Sequence, residues 1–312
     1  MLDRLTDKSS RTAFFALVAL MVAGCSSPPA PKSEPLPANE ARVTTPAPIT
    51  DAPRPPAQKK RVTARPANTK GVIPILMYHR VWTAETKYDR SIANFEKDLD
   101  LLYRQGYRPI TLAQYIDKKI DIAPGATPVV ITFDDSDPTQ FDLLPNGDIN
   151  PKTAYGLMKK FEKKYPDFPA RAVFFVNPYR LFGKRVLGIP KLKKLQDLGN
   201  EIGSHTWKHD NLRKLSDAQV AADFKRTNEF LRKNGIIVRT LAPPYGVLPR
   251  NKALLKQYEA VVLAGSNPAP SCFDPKRRMT ALPRIWAYNG SLGIRDWVAK
   301  MKSGSPKPFV QP

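Results

Sequence analysis

Apolar runs that suit β-strands alternate with segments of helical periodicity from Gly71 to the C-terminus, and this alternation restricts the fold more than any other feature. The strand-like runs are VIPILMY (72–78), PVVITF (128–133), RAVFFV (171–176), EIGSH (201–205), IIVRTLA (236–242), AVVLA (260–264) and PRIWA (283–287). Helical patterns fall near residues 91–105, 152–164, 190–198, 216–235, 249–257 and 291–302. The alternation predicts a single α/β domain with a parallel sheet, whose length suits a barrel. Periodicity does not distinguish a barrel from an open sheet.

The N-terminus predicts export and anchoring. Residues 12–24, TAFFALVALMVAG, form an apolar run that is short for a membrane-spanning helix and typical of a signal-peptide core. The segment VAGC that ends at Cys25 resembles the bacterial lipobox, so residues 1–24 are expected to be a lipoprotein signal peptide and Cys25 a lipidated residue. Acyl chains contribute about 0.8 kcal/mol per buried CH₂ and would hold the protein on a membrane. The simpler alternative is an ordinary secretory signal with a chance cysteine.

Residues 25–70 are expected to be a disordered tether. The stretch 26–70 contains eleven prolines and no aromatic residue, so it cannot bury enough apolar surface to fold. The folded domain is therefore expected at residues 71–312. With Cys25 modified, Cys272 is the one remaining cysteine, which excludes an intrachain disulfide.

The charge is strongly positive. The chain carries 50 Lys and Arg against 28 Asp and Glu, a formal net charge of +22. Such an excess favours anionic surroundings, such as lipid head groups or acidic wall polymers. No helix-turn-helix or aromatic RNA-binding signature is present, so nucleic acid is not an expected partner.

Chemically active side chains follow three of the strand-like runs. His79 follows the first run, the pair Asp134–Asp135 follows PVVITF, and His205 ends EIGSH, with His209 four residues later. In α/β barrels the chemistry collects at the C-terminal ends of the strands. The chain has 3 histidines, and all of them fall in this set. A chance gathering is therefore a weaker interpretation than a site, although a lone histidine is more often structural.

The spacing of these residues predicts a metal centre. Histidines at i and i+4 can present two imidazoles to one point, and two His with one carboxylate leave a metal position open, as in catalytic zinc sites. A dication would also relieve the repulsion between two buried neighbouring carboxylates. Asp135 would then be a ligand and Asp134 a base beside it. Zinc is the expected ion, and the same donors suit cobalt, nickel, manganese or iron. The simpler alternative to a metal site is that the acidic pair belongs to an ordinary turn with the sequence Asp-Ser-Asp-Pro.

Three motifs together resemble the polysaccharide deacetylases of carbohydrate esterase family 4, the NodB-homology family. They are ITFDD (131–135), SHTWKH (204–209) and PPYG (243–246). The resemblance covers roughly residues 72–302 and implies a deformed (β/α) barrel that hydrolyses acetyl groups from a polysaccharide.

The resemblance also implies residue roles. Asp134 would be the general base, Asp135, His205 and His209 the metal ligands, and the backbone N–H of Tyr245 part of the oxyanion site. Substrate contacts are expected from Pro244, Tyr245 and Trp207.

Two departures from the family pattern carry information. Most members have an Arg where this chain has Ala242, and a late histidine that this chain lacks. However, PILMYHRV (74–81) resembles a circularly permuted branch that includes poly-N-acetylglucosamine deacetylases, in which the His-bearing strand comes first. His79 would then be the catalytic acid. Arg284 is the candidate to orient the base, against the alternative of an ordinary surface ion pair.

The expected function is removal of N-acetyl groups from an extracytoplasmic polysaccharide such as poly-N-acetylglucosamine, a chitin-like chain or peptidoglycan. Two alternatives stay open: an acetylxylan-type O-deacetylase, and a catalytically silent lipoprotein that binds polysaccharide or cell wall. The expected location is the periplasm or cell surface, with the membrane contacted through Cys25. The sequence gives no indication of the oligomeric state.

Overall fold

The computed structural model of the protein describes residues 62–183 and 185–312. The predicted signal peptide, Cys25 and the linker up to residue 61 lie outside the described residues. The strands are β1 (Ile75–Tyr78), β2 (Arg80–Trp82), β3 (Asp89–Ser91), β4 (Tyr107–Ile110), β5 (Thr127–Phe133), β6 (Val173–Val176), β7 (Glu201–Ser204), β8 (Thr240–Leu241), β9 (Ala260–Val261) and β10 (Ile285–Trp286). The helices are α1 (Ile92–Arg104), α2 (Leu112–Ile116), α3 (Ala154–Lys164), α4 (Arg185–Asp197), α5 (Asp217–Lys233) and α6 (Ile294–Lys302).

The main sheet is parallel throughout and curls into a half-barrel. Its strand order is β10-β1-β5-β6-β7-β8-β9, with β4 paired to the first half of β5. Since every pairing is parallel, the C-terminal ends of the strands lie at one edge. The predicted α/β domain with a parallel sheet is confirmed.

The strand order joins the two ends of the domain. β1 lies between β10 and β5, with Leu76 opposite Ile285 and Tyr78 opposite Phe133. The first strand of the sheet is therefore a neighbour of the last, although more than 200 residues separate them. This arrangement brings side chains after β1 and after β5 to the same edge, and it places Arg284, which precedes β10, two strands away from Asp134.

The helices form where the sequence predicts amphipathic segments with caps. In α1, Phe95, Leu99 and Leu102 are buried, and the Ser91 hydroxyl accepts a hydrogen bond from the Asn94 amide at the helix start. α5 begins with a capping box between Ser216 and Gln219, as predicted.

Several elements differ from the sequence prediction, and the strands predicted at 260–264 and 283–287 are reduced to Ala260–Val261 and Ile285–Trp286. The helix expected near 249–257 is a 3₁₀ segment, Lys252–Gln257, and the strand expected over 236–242 is reduced to Thr240–Leu241. Ile236 is buried and Ile237 is exposed, as in a strand, but residues 236–239 make no strand pairing. Propensity predicted a longer strand, whereas the pairing begins only at Thr240.

Residues 62–70, which the sequence predicts to be part of the tether, pair with the folded domain. The Val62 amide donates to the Pro124 carbonyl, and Asn68 pairs with Val310. The Thr63 hydroxyl donates to the Gly125 carbonyl at 2.6 Å. These contacts are made largely by the backbone of a polar, Pro-containing stretch, so no apolar periodicity marks them in the sequence.

A buried ion cluster fixes the segment between β2 and β3. The Arg90 guanidinium contacts both carboxylate oxygens of Asp98 at 2.6 and 2.8 Å, and the Tyr78 hydroxyl donates to the same carboxylate. Arg90 also contacts Glu85, whose second oxygen accepts from the Ser91 amide. Because a buried charge is stable only when its partners are in place, this cluster holds the segment against α1 and β1.

Within the described residues, no helix combines the length and the apolar character that a membrane crossing requires. Cys272 is fully buried, as expected for a small apolar side chain.

Candidate active site

The residues singled out in the sequence meet at the C-terminal edge of the sheet. A cavity of about 1140 Å³ opens there. It is lined by His79 after β1, by Asp134 and Asp135 after β5, and by His205, His209 and Tyr245 from the loops after β7 and β8.

Asp134 is a buried carboxylate held by a buried arginine. Its residue exposure is 2%, and the Arg284 guanidinium donates to both carboxylate oxygens at 2.7 Å. Arg284 also donates to the Thr132 hydroxyl and the Leu263 carbonyl, each at 3.0 Å, so its own orientation is fixed. Burial alone would raise the pKa of Asp134, but the Arg284 charge and the nearby imidazoles lower it below its usual range. The carboxylate is therefore ionised at neutral pH, as a general base must be.

Asp135, His205 and His209 form a compact donor cluster. Asp135 Oδ1 lies 3.2 Å from His205 Nε2 and 3.3 Å from His209 Nε2. One potential ligand atom from each residue lies within 4.8 Å of the others. His205 Nδ1 lies 2.6 Å from the Ala242 carbonyl oxygen, which fixes Nδ1 as the donor and directs Nε2 towards the cluster.

The cluster fits a divalent cation. His205 Nε2 is buried and has no hydrogen-bond partner among the described residues. A buried nitrogen lone pair facing a second imidazole and a carboxylate is the donor set that zinc and similar ions bind. Burial lowers the pKa of His205, but the charges of Asp134 and Asp135 outweigh it and raise that pKa, so a proton competes with a metal for Nε2.

The loops that carry these groups contain left-handed backbone at non-glycine residues. The φ angles are +80° at Asp135, +49° at Ser136, +63° at Thr206, +67° at His209 and +60° at Tyr245. Non-glycine residues occupy this region at a cost of roughly 1–3 kcal/mol each, and such strain concentrates at functional sites. Here the left-handed backbone turns the chain so that one of two consecutive side chains points into the cavity and the other into the protein.

His79 lies on the β10 side of the cavity, packed among aromatic rings. Its ring stacks on Trp286 at 5.8 Å between centroids and meets the edge of Tyr88 at 5.3 Å. Burial lowers the pKa of His79 below its usual range, more than the charges of Asp134 and Asp135 raise it. The imidazole is thus neutral near pH 7.

The predicted substrate-contact residues differ in their exposure. The side chain of Tyr245 is exposed, and its ring lies 4.7 Å from the His209 ring. The Tyr245 amide donates to no acceptor within the described residues. Trp207 borders the cavity but is 4% exposed, with its ring against Phe230 and the Arg226 guanidinium. Pro244 is buried and lies outside the cavity lining.

Two buried carboxamides that sequence reasoning missed tie the strand ends together. Gln140 Nε2 donates to the His79 carbonyl at 3.0 Å and also to the Asp134 carbonyl. Asn177 Nδ2 donates to the carbonyls of His205 and Thr206. Gln140 lies in polar loop sequence with no distinguishing pattern, so only the structure identifies it. Asn177 directly follows the predicted strand RAVFFV, and its place at a strand end could have indicated it.

Residues 121–262 match the family model for polysaccharide deacetylases. The chain is 27% identical over 133 residues to the peptidoglycan-N-acetylmuramic acid deacetylase PdaC of Bacillus subtilis, which is 42% of this chain and 24% of that protein. It is 28% identical over 126 residues to a peptidoglycan-N-acetylglucosamine deacetylase of Bacillus cereus, 40% of this chain and 38% of that one. The matched part of the chain therefore spans well under half the length of either relative.

The fold is similar to that of two solved deacetylase structures. The Streptococcus pyogenes deacetylase PplD, solved with acetate, superposes with a TM-score of 0.57 at 19% identity, covering 74% of this chain and 99% of that one. IcaB from Ammonifex degensii superposes with a TM-score of 0.53 at 23% identity, covering 73% and 96%. At these identities the superpositions establish the fold alone. The family match confirms what the sequence motifs predicted: residues 121–262 of this chain carry a polysaccharide deacetylase domain.

Proposed function

We propose that the protein is a metal-dependent hydrolase that removes N-acetyl groups from an extracytoplasmic polysaccharide. The observation that carries the proposal is the pairing of two different carboxylates in one cavity. Asp134 is buried, ionised and held by Arg284, while Asp135 belongs to a cluster with two imidazoles. Hydrolysis of an amide requires a general base close to a metal ion, and here the base would lie beside three residues that can hold one ion.

Asp135, His205 and His209 would hold the metal, most simply zinc. When bound there, the ion supplies Lewis acidity for the acetyl carbonyl and lowers the pKa of water. The buried Nε2 of His205 is oriented for this by the hydrogen bond at its Nδ1.

Asp134 and His79 divide the proton transfers. Asp134 takes a proton from the water that adds to the acetyl carbon. The C–N bond then breaks, and the sugar nitrogen leaves as an amine once it has received a proton, while the acetyl group leaves as acetate. His79 follows the strand next to the one that Asp134 follows and lines the same cavity. It would take up the proton that Asp134 has removed from water and donate it to that nitrogen, which returns both residues to their starting protonation states. The Tyr245 amide, which has no acceptor in the described residues, is available for the carbonyl oxygen.

Arg284 acts as a positioning residue. Its two hydrogen bonds to Asp134 fix the plane of the carboxylate and compensate its charge. It lies before β10 and also donates to the Leu263 carbonyl after β9, whereas most family members carry their arginine at the position of Ala242.

The proposed substrate class is supported by the amide-hydrolysing arrangement of the site and by the names of the two curated relatives. The two curated relatives are named as deacetylases of peptidoglycan amino sugars, which supports an N-acetylhexosamine polymer over acetylxylan. We place this activity in a deformed (β/α) barrel, tethered by residues 25–70 to a membrane through a lipidated Cys25 after removal of residues 1–24. That arrangement puts the site in the periplasm or at the cell surface, where such polymers occur.

The direct test is release of acetate. Purified protein supplied with zinc should release acetate from N-acetylglucosamine oligomers or from peptidoglycan, faster than from acetylxylan, and a chelator should abolish release. Acetate can be measured by an enzyme-coupled assay. Faster turnover of acetylxylan would assign O-deacetylation instead, and no release from any of the three would favour a silent polysaccharide-binding protein.

We expect His79→Ala and Asp134→Asn each to lower kcat by about 10²–10⁴-fold, because each removes one partner of a proton transfer. Metal content and the thermal unfolding midpoint should show that both variants are folded and loaded. A folded, metal-loaded His79→Ala protein with near-normal kcat would show that His79 is structural, and the acid would lie elsewhere.

Replacing Arg284 should act through Asp134. Arg284→Met is expected to lower kcat by about 10–100-fold with a smaller effect on KM, and Arg284→Lys should recover part of the loss by restoring charge without the two-point contact. Metal content should be unchanged in both. Equal kcat in Arg284→Lys and Arg284→Met would contradict a positioning role.

A further inference from the structure

We propose that two lysines at the mouth of the cavity, Lys87 and Lys208, disfavour substrates whose neighbouring sugar has already lost its acetyl group. The polymer product would therefore be deacetylated at spaced positions rather than in blocks. This inference rests on the proposed function. It adds that the cavity prefers stretches of polymer in which the sugars next to the reacting one still carry their acetyl groups.

Lys87 is held on the His79 side of the cavity. Its Nζ lies 4.9 Å from the centroid of the Trp286 ring and 5.8 Å from that of Tyr88, and these two rings are the ones that pack on His79. The segment that carries Lys87 is anchored at Glu85 and Arg90 by the buried ion cluster described above. The ammonium group is thus fixed near the catalytic imidazole.

Lys208 lies on the other side of the cavity, in the loop after β7. It precedes His209, and its Nζ lies 5.5 Å from the centroid of the Tyr179 ring. The Tyr179 amide in turn donates to the Trp207 carbonyl, so ring and lysine belong to one loop cluster. β1 and β7 lie on opposite sides of β5, so the two lysines flank the acidic pair at its end.

The charge of the cavity lining has a small positive excess, with Arg or Lys at five positions against Asp at four. The cations that line the cavity, apart from buried Arg284, are Arg80, Lys87, Arg180 and Lys208. Arg80 pairs with Asp89, whereas no ion pair joins the other three to a carboxylate in residues 62–183 and 185–312. The further carboxylates of the lining are Asp137, which accepts hydrogen bonds from Thr139, and Asp210.

The chemistry of the product makes this charge matter. Hydrolysis replaces a neutral acetamide with an amine that is protonated near neutral pH. When the polymer shifts by one sugar, that ammonium group comes to lie next to the reacting position, beside Lys87 or Lys208. The rings of Trp286, Tyr88 and Tyr179 already contact a lysine ammonium, so their cation–π attraction stabilises the new ammonium group little. Like charges about 7 Å apart lower kcat/KM by roughly threefold at the dielectric constant of water and by roughly fiftyfold at an effective value of about 20, so a partly screened pair is expected to lower it by roughly three- to thirtyfold.

The test uses defined trisaccharides with a central N-acetylglucosamine. Its two neighbours are N-acetylglucosamine, glucosamine or glucose, and kcat/KM is measured by acetate release. The glucose version lacks both the acetyl group and the charge, so comparing it with the glucosamine version isolates the charge. We expect the glucosamine version to be three- to thirtyfold poorer than the glucose version, with a smaller ratio in 1 M salt, where screening is strong.

A double variant, Lys87→Gln with Lys208→Gln, should bring that ratio close to one. Lys225→Gln, which changes an exposed lysine on α5 outside the cavity lining, is the matched control and should keep the wild-type ratio. Equal rates on the glucosamine and glucose versions, or a ratio that the double variant does not change, would overturn the inference alone. No acetate from any trisaccharide would contradict the proposed function and the inference with it.

Discussion

Asp134 and Asp135 are neighbouring carboxylates at the end of a fully buried strand, and they coexist there because each is compensated by a different partner. Asp134 turns to the Arg284 guanidinium, with both contacts at 2.7 Å. Asp135, with left-handed backbone at φ +80°, turns the other way to the imidazoles of His205 and His209. Two like charges on adjacent residues would otherwise cost several kcal/mol or give up one charge. The division of partners is also the basis of the proposed division of roles, with Asp134 as the base and Asp135 as a metal ligand.

The topology of the sheet supplies those partners from distant parts of the chain. Arg284 and Asp134 are 150 residues apart, and they meet because β1 lies between β10 and β5. The same placement brings His79, at the end of the first strand of the sheet, into the cavity. A late arginine and an early histidine can thus serve positions that most family members fill from other segments.

The sequence was sufficient for the parts of the site that depend on strand ends and spacing. The acidic pair after PVVITF and the i, i+4 histidines were found because parallel strands end at a common edge. The ion pair of Arg284 with Asp134 could only be guessed, because it depends on the order of strands in space. Gln140 was missed because a carboxamide that bridges two carbonyls leaves no pattern in the sequence, and Asn177 was missed although it directly follows a predicted strand. The left-handed residues were missed for a related reason: the conformation is imposed by the surrounding packing against local preference. Packing of residues 62–70 on the domain was also hidden, since backbone pairing of a polar stretch has no apolar signature.

The proposed roles of Asp134 and Asp135 depend most on a cation bound by Asp135 and the two histidines. Calorimetric titration of zinc into chelator-treated protein measures the binding of that cation directly. We expect one ion bound per chain, and we expect Asp134→Asn to retain it because Asp134 is compensated by Arg284. The double variant His205→Ala, His209→Ala should lose affinity by more than about 100-fold, since even partners outside the ligand shell typically contribute 10–100-fold. Elemental analysis of the same proteins provides an independent count. Undiminished metal in the double variant would contradict the separate compensation of the two carboxylates, and with it the assignment of the base.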